Sequence, residues 1–168
     1  GTELDHPLLT SGARKAGFTN EVGLDGTIRF LKNRTGTWIL EECMREWAES
    51  GERIAWEPLM REAGASPSFG FTIDCNAPAF GERGAMVEKM NAACAAVGAE
   101  APDSRASLTR LILESLAESY RHTLAELSTL TGVECAVVHV VGGGARNAVL
   151  NQLTADACGR RVVAGPAE

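Results

Sequence analysis

The sequence lacks a long apolar run and an excess of basic residues. None of its 168 residues belongs to a stretch near the roughly 20 apolar residues that span a bilayer. The N-terminus also lacks the basic and then apolar layout of a signal peptide. A formal net charge of −6 argues against a nucleic-acid or anionic membrane surface, because both attract basic patches. We therefore expect a cytoplasmic protein that binds small molecules, with neither nucleic acid nor membrane as a partner.

Cysteine and histidine are sparse and scattered. The five cysteines include no C-x-x-C pair, and the three histidines are far apart in the sequence. Local metal sites need ligands at short, regular spacings. We predict reduced cysteines that serve in packing, and no metal site made by this chain, so that any metal would arrive with a substrate.

Length and chain ends favour one partial domain over residues 1–168. The apolar and charged fractions are near globular averages and are sufficient for one core. The opening GTELDHPLL shows no cap or strand pattern, and Pro166 in the final GPAE suits a turn before another element. We interpret the chain as a piece of a longer protein.

Apolar spacing predicts alternating strands and helices. A near-continuous β-branched run, CAVVHVV, precedes GGG, a helical stripe and RRVVAGP, which together form a β-α-β unit. This unit predicts an α/β fold whose mixed sheet has a parallel core, with its first strand buried on both faces. The other predicted elements are a strand in 27–32, helices at 35–50, 54–63 (or from 57), 86–97 and 104–130, and a brief strand at 71–75.

Three successive glycines, Gly142, Gly143 and Gly144, follow the predicted strand Val137–Val141. Glycine allows positive φ and lets a ligand approach the backbone amides, and the next helix directs its free N–H groups to the same place. The alternative is a tight strand-to-helix turn without a ligand. Because each glycine costs about 0.5–1 kcal/mol relative to alanine, a triplet favours the ligand interpretation.

Two common nucleotide motifs do not fit this turn. The dinucleotide pattern G-x-G-x-x-G requires glycine where Asn147 stands, and no acidic residue ends the next strand. A Walker A loop requires Lys-Ser or Lys-Thr after the glycines, and neither is present.

Two separated stretches resemble one known family. VGGGARNAVLNQLTADACGRRVVAGPAE resembles the C-terminal signature of the FGGY carbohydrate kinases, most closely the rhamnulokinases. TNEVGLDGTIRFLKNRTGTWILEEC is similar to the rhamnulokinase segment with the N-E-G-G, L-K-N and G-x-W-L-L-Q patterns. With the long helix between them, the resemblance covers nearly the whole chain.

The resemblance implies an actin-like ATPase (ribonuclease H-like) fold of two domains, with ATP and sugar in the cleft between them. This chain would be most of the C-terminal, nucleotide-side domain. The glycine turn would contact the nucleotide through Gly142, Gly143 and Gly144, with Gly143 as the leading candidate, and Asn147 would contact adenine or ribose.

Asn33 and Glu41 complete the site that the resemblance implies. The family directs the asparagine of L-K-N toward the sugar, which falls on Asn33, whereas the residues alone suggest an asparagine that closes a turn before Gly36. The family's nucleotide-binding glutamine falls on Glu41, a departure. A carboxylate would be repelled by triphosphate but could accept hydrogen bonds from ribose hydroxyls, and a solvated helix glutamate is the third interpretation.

The implied activity is transfer of the γ-phosphoryl group of Mg²⁺-bound ATP to a ketose hydroxyl, with L-rhamnulose as the leading substrate. The family's catalytic aspartate lies in an upstream His-Asp segment outside this sequence, so the fragment alone would be inactive. Thr2 is too far past the family's S-G-T-W strand to be assigned as a phosphate ligand. The alternative is a non-catalytic nucleotide- or sugar-binding protein with the same fold; a homo-oligomer stays open.

Overall fold

The structure, a computed structural model that describes residues 1–166, alternates short strands with helices. Residues 167 and 168, which end the stretch that resembles the kinase signature, lie outside the described residues. In chain order the elements are β1 (Thr2–Leu4), α1 (Ser11–Lys15), β2 (Thr19–Val22), β3 (Ile28–Leu31), α2 (Trp38–Glu49), α3 (Trp56–Ala65), α4 (Met86–Ala96), α5 (Arg105–Thr131), β4 (Val137–Val140), α6 (Ala148–Cys158) and β5 (Arg161–Ala164).

The strands form two separate sheets over the described residues. One is antiparallel with the order β1-β3-β2, and the other is the parallel pair β4-β5. Val137 pairs with Arg161 and Val140 with Ala164, and α6 connects the two strands. The predicted α/β class and the β-α-β unit are therefore confirmed, with the antiparallel and parallel strands in different sheets.

The 27-residue helix α5 is the central element of the core. The Ser104 hydroxyl caps it by accepting a hydrogen bond from the Ser107 amide at 3.1 Å, and Gly132 ends it at φ +71°. Leu111, Ile112 and Leu113 are consecutive and fully buried. A helix buried at successive positions is covered on more than one face. Side chains of α2, α3, α4 and α6 surround it.

A second, smaller cluster joins the antiparallel sheet to the C-terminal part of α5. Phe18 and Phe30 stack with their ring centroids 4.8 Å apart, and both pack with Ala13 and Leu127. Because β3 lies in the middle of this sheet and Phe30 is fully buried, the end of β3 is held firmly at the start of the loop to α2.

The predicted helices are confirmed as α2, α3, α4 and α5, and the predicted strand within residues 27–32 is β3. The brief strand predicted at residues 71–75 is wrong, because this segment is a loop. Ile73 and Cys75 are buried on either side of the exposed Asp74, but the β-prone run FTIDC that suggested a strand pairs with no other strand in residues 1–166. The segment packs on a helix, and the Ile73 amide donates to the Ser115 hydroxyl of α5 at 3.1 Å.

The prediction that the strand before the glycines is buried on both faces is wrong for the described chain. Val137 is 36% exposed and His139 is also exposed, whereas Val138 and Val140 are half-buried. Within residues 1–166 β4 pairs only with β5. Alternating exposure is what a sheet with one covered face shows.

All five cysteines are free, as predicted. Cys43, Cys75 and Cys94 are buried in the main core. Burial raises the pKa of Cys43 and of Cys75 to about 12, which keeps both thiols protonated and unreactive at neutral pH. In the part of the chain that the structure describes, no helix combines the length and apolarity needed to cross a membrane.

Thr109 provides a test of the packing around α5. Its side chain is fully buried, and its hydroxyl has no hydrogen-bond partner within residues 1–166. An unsatisfied buried hydroxyl costs about 1–3 kcal/mol. We expect Thr109→Val, which replaces the hydroxyl by a methyl of similar size, to raise the free energy of unfolding by about 1 kcal/mol in urea denaturation.

Thr154→Val is the matched control for this change. Thr154 is also buried, but its hydroxyl donates to the Leu150 carbonyl at 2.7 Å. Because Thr154→Val removes this bond, the free energy of unfolding of that variant should be equal to or lower than that of the parent. A Thr109→Val protein that unfolds at a lower urea concentration than the parent would contradict the expectation.

Candidate functional site

The glycine turn lies at the carboxyl ends of the two parallel strands. β4 ends at Val140, and Gly142–Arg146 form a short 3₁₀ helix before α6. The end of β5 closes against this turn: the Gly165 amide donates to the Val140 carbonyl at 2.8 Å, and the Gly142 amide donates to the Pro166 carbonyl at 3.2 Å. The carboxyl edge of parallel strands is where α/β sheets bind ligands.

The three glycines are not equivalent. Gly142 has φ +70°, a conformation that L-residues rarely adopt, so the turn itself requires glycine at this position. Gly143 has no positive φ, and a methyl group placed on it would meet no atom of the described residues within 4 Å. On Gly144 a methyl would meet Val140 Cγ1 at 3.5 Å, an ordinary contact. Nothing in the turn's own packing therefore explains a glycine at position 143.

Asn147 is the N-cap of α6. Its Oδ1 accepts a hydrogen bond from the Leu150 amide at 3.0 Å, and the residue is only 4% exposed. Its Nδ2 is buried and has no hydrogen-bond partner within residues 1–166. Capping alone accounts for the oxygen. The unused donor is the observation that the cap does not explain, because buried polar groups are seldom left unpaired.

A cleft of 250 Å³ lies beside the turn, between α6 and β5. It is lined by small apolar side chains, among them Ala145, Ala155 and Val162, and by the amide side chains Asn151 and Gln152. This lining can pack a flat apolar ring and bind its polar edge. A larger cleft of 640 Å³ lies near Trp47 and the start of α5, and no predicted site residue lines it.

Asn33 follows the end of β3 in an irregular loop, residues 32–37, that leads to α2. Its side chain is exposed and makes no hydrogen bond to any described residue. It therefore does not close a turn, which was the interpretation from the residues alone. An exposed amide offers two donors and an acceptor to a ligand.

Glu41 lies in the first turn of α2, and its side chain is also exposed. Its Oε1 accepts a hydrogen bond from the Thr37 hydroxyl at 2.8 Å. A carboxylate is favourable at this end of a helix because the backbone N–H groups there carry partial positive charge. The structure thus gives Glu41 a local structural role and leaves its second oxygen, Oε2, facing no described partner.

A set of interactions that sequence analysis missed fixes the start of α2. Trp38 Nε1 donates to the Phe80 carbonyl at 3.1 Å, and the Arg83 guanidinium lies 5.5 Å from the Trp38 ring centroid. Glu42 is buried beside Arg45, whose hydrogen bond lowers the pKa of that carboxyl. Neither contact between Trp38 and residues 80–83 has a local sequence signal, since more than 40 positions separate the partners.

The structure brings the three glycines and Asn147 into one continuous turn. Asn33 precedes α2 and Glu41 lies in its first turn, and no hydrogen bond joins either one to the glycine turn in residues 1–166. Over the same residues no cluster of three or more histidine, cysteine or acidic side chains could hold a metal ion. The candidate site is therefore two separate groups of exposed or unsatisfied polar atoms.

Comparison with known proteins gives one consistent result. The model of the FGGY family of carbohydrate kinases, C-terminal domain, matches residues 1–168. A rhamnulokinase of Bacteroides thetaiotaomicron is 39% identical over the whole chain, and rhamnulokinases of Klebsiella pneumoniae strain 342 and Klebsiella pneumoniae subsp. pneumoniae are 42% and 41% identical. The chain covers 34% of the length of each of these relatives.

Proposed function

This chain belongs to the FGGY family of carbohydrate kinases, as its C-terminal domain, and on that premise we propose that it is the nucleotide-side domain of a two-domain sugar kinase. The full-length protein transfers the γ-phosphoryl group of ATP to a primary hydroxyl of a ketose, with L-rhamnulose as the leading substrate and L-rhamnulose 1-phosphate as product. The names of the relatives support this choice of sugar. The isolated domain is expected to be inactive.

The glycine turn is the observation that carries the proposal. The open space at Gly143 lets a phosphate or ribose group approach the backbone N–H groups without meeting a side chain. The first amides of α6 lie immediately after the turn, and the positive end of the helix dipole favours an electron-rich ligand there. Gly142 provides the positive φ that the turn requires, and the backbone of all three glycines is proposed to contact the nucleotide.

The fit of a nucleotide rests on Asn147 and the neighbouring cleft. The buried Nδ2 of Asn147 needs an acceptor, and adenine nitrogens and ribose oxygens are acceptors. The cleft lined by Ala155 and Val162 suits the faces of a nucleobase. ATP supplies the phosphoryl group, while these residues bind and orient it. Mg²⁺ is expected to arrive with the phosphates, because the described residues provide no acidic cluster for it.

Asn33 is proposed to contact the sugar. Its exposed amide can donate to one hydroxyl and accept from another, which suits a polyol. The general base that takes the sugar proton is expected from the other domain. Phosphoryl transfer depends mostly on positioning and charge stabilisation. One domain can therefore bind ATP and contact the sugar while the other domain supplies the base, provided that the two domains close on each other.

The test is an ADP-release assay of the full-length protein against a panel of ketoses, with L-rhamnulose and L-fuculose first. The proposal expects ketose-dependent ADP release that greatly exceeds ATP hydrolysis without sugar. A protein that binds ATP or sugar but releases no ADP with any ketose would instead be the non-catalytic binding protein. An aspartate in the upstream His-Asp segment, changed to asparagine, is the inactive control.

Glu41→Gln tests the proposed contact of Glu41 with ribose hydroxyls. Glutamine keeps an oxygen that can accept from the Thr37 hydroxyl and from ribose. We expect the KM for ATP of the full-length kinase to change by less than about threefold, under about 0.7 kcal/mol. Glu88→Gln, another exposed glutamate in a first helical turn, is the control. A tenfold rise confined to Glu41→Gln would show that its charge has another role.

A further inference from the structure

The loop that carries Asn33 is attached to the central helix through one hydroxyl. Ser119 Oγ of α5 accepts hydrogen bonds from Arg34 Nη2 at 2.9 Å and from Arg34 Nε at 3.3 Å. Asn76 Nδ2 donates to the same oxygen at 3.0 Å. The side-chain oxygen of Asn76, Oδ1, in turn accepts a hydrogen bond from the Thr35 backbone amide at 3.0 Å. The two residues that follow Asn33 are therefore both anchored to one point on α5.

This anchor is built from groups that are largely removed from water. Ser119 is 8% exposed, and Arg34 and Asn76 are half-buried. No carboxylate lies within 4.0 Å of the Arg34 guanidinium in the part of the chain that the structure describes, so its charge is directed to a neutral hydroxyl. Hydrogen bonds from a charged donor are stronger and more directional than neutral ones. Because Arg34 and Asn76 donate to the same buried oxygen, their bonds together restrict the loop more than either bond would alone.

The anchor fixes the backbone around Asn33 but does not use its side chain. On the preceding side, β3 is held by its position in the middle of the sheet and by the buried Phe30. On the following side, Arg34 and Thr35 are held by Ser119 and Asn76. The Asn33 amide stays exposed and forms no hydrogen bond to the described residues. Such a combination of fixed backbone and unused polar side chain is what a ligand contact requires.

We propose that Ser119, together with Arg34 and Asn76, is a positioning residue that holds Asn33 in the orientation in which it binds the sugar. This inference rests on the proposed kinase function. Ser119 does not touch the substrate; it acts on the sugar only through the loop. Helix α5 also packs along α6, which begins at the glycine turn. The loop that carries Asn33 and the glycine turn are therefore both attached to elements that contact α5.

The experiment measures KM for L-rhamnulose, KM for ATP and kcat in the full-length kinase with Ser119→Ala. We expect the KM for sugar to rise about fivefold to tenfold, with the KM for ATP within about twofold, because a misplaced loop weakens only the contact it presents. Ser119→Thr keeps a hydroxyl and should recover most of the loss. Equal changes in both KM values would overturn the positioning role.

Thr123→Val is the matched control. Thr123 lies one turn further along α5, is half-buried, and its hydroxyl bonds only to the Ser119 backbone carbonyl within that helix. It should lower the melting temperature by an amount similar to that of Ser119→Ala and leave both KM values unchanged. A rise in sugar KM for Thr123→Val as large as that for Ser119→Ala would assign the effect to general destabilisation and overturn the proposal.

A double-mutant cycle with Asn33→Ala gives the decisive readout. If Ser119 acts through Asn33, Ser119→Ala should add less than about twofold to the sugar KM of Asn33→Ala. A full fivefold addition would show an independent effect and contradict the proposal. If the wild-type protein releases no ADP with any ketose, the kinase function fails and the positioning role fails with it. Wild-type turnover with an unchanged Ser119→Ala protein overturns the positioning role alone.

Discussion

Gly143→Val in the full-length kinase is expected to raise the KM for ATP at least about 100-fold, or about 2.7 kcal/mol, while the protein remains folded. The reason is that the residue is a glycine although the fold leaves room for a side chain at this position. A Cβ placed on Gly143 meets no atom of residues 1–166 within 4 Å, so the turn has room for a side chain there. The same side chain would occupy the space through which the nucleotide approaches the backbone amides.

Gly143→Ala separates ligand binding from folding. Replacing glycine by alanine at an unstrained φ stabilises a protein by about 0.4–1 kcal/mol, because the unfolded chain loses conformational freedom. We therefore expect a slightly higher melting temperature together with weaker ATP binding, measured by calorimetry with a non-hydrolysable ATP analogue. Opposite signs for the two effects cannot come from damage to the turn.

Two further glycines provide the controls. Gly81 also belongs to a short 3₁₀ helix and has open space around it within the described residues, so Gly81→Ala should leave ATP affinity unchanged. Gly142→Ala places a methyl at φ +70° and should cost stability of about 1–2 kcal/mol. If Gly143→Val leaves ATP affinity unchanged, the glycine turn is a purely structural feature and the proposed nucleotide site is wrong.

The elements that could be predicted from sequence are those whose signal is local. The regular spacing of Leu108, Ile112 and Leu116, the Ser104 cap and Gly132 define α5 without reference to any other part of the chain. β1, β2 and α1 were not predicted, because their sequences TEL, TNEV and SGARK each contain a single apolar residue and show no apolar pattern. The loop at residues 71–75 shows the opposite error, because the β-prone composition of FTIDC predicted a strand where the segment packs on a helix instead.

In the candidate site, too, only the features with a local sequence signal could be predicted. The glycine triplet and Asn147 are adjacent in sequence, so their place in one turn could be predicted. The resemblance to a family singled out Asn33, which no local signal distinguishes from a turn residue. The anchor of its loop could not be predicted at all, because Arg34 and Ser119 are separated by 85 positions and meet only when β3 and α5 pack together.

Asn147→Ser and Asn147→Ala are expected to differ in stability but not in nucleotide affinity. Serine can keep the cap of α6, whereas alanine loses it, at a cost of about 1 kcal/mol. Both variants remove the buried Nδ2 that has no partner in residues 1–166. If that donor binds adenine or ribose, each variant should raise the KM for ATP about tenfold, equivalent to about 1.4 kcal/mol.

The comparison works because one side chain carries two separable groups. Urea denaturation of the two variants reports on the oxygen, and the KM for ATP reports on the nitrogen. If the affinity for ATP falls only in Asn147→Ala, loss of the α6 cap weakens ATP binding indirectly. The proposed direct contact between Asn147 Nδ2 and the nucleotide would then be wrong. An unchanged affinity in both variants would leave Asn147 with the capping role alone, and the nucleotide would then be held by the backbone of the glycine turn without help from this side chain.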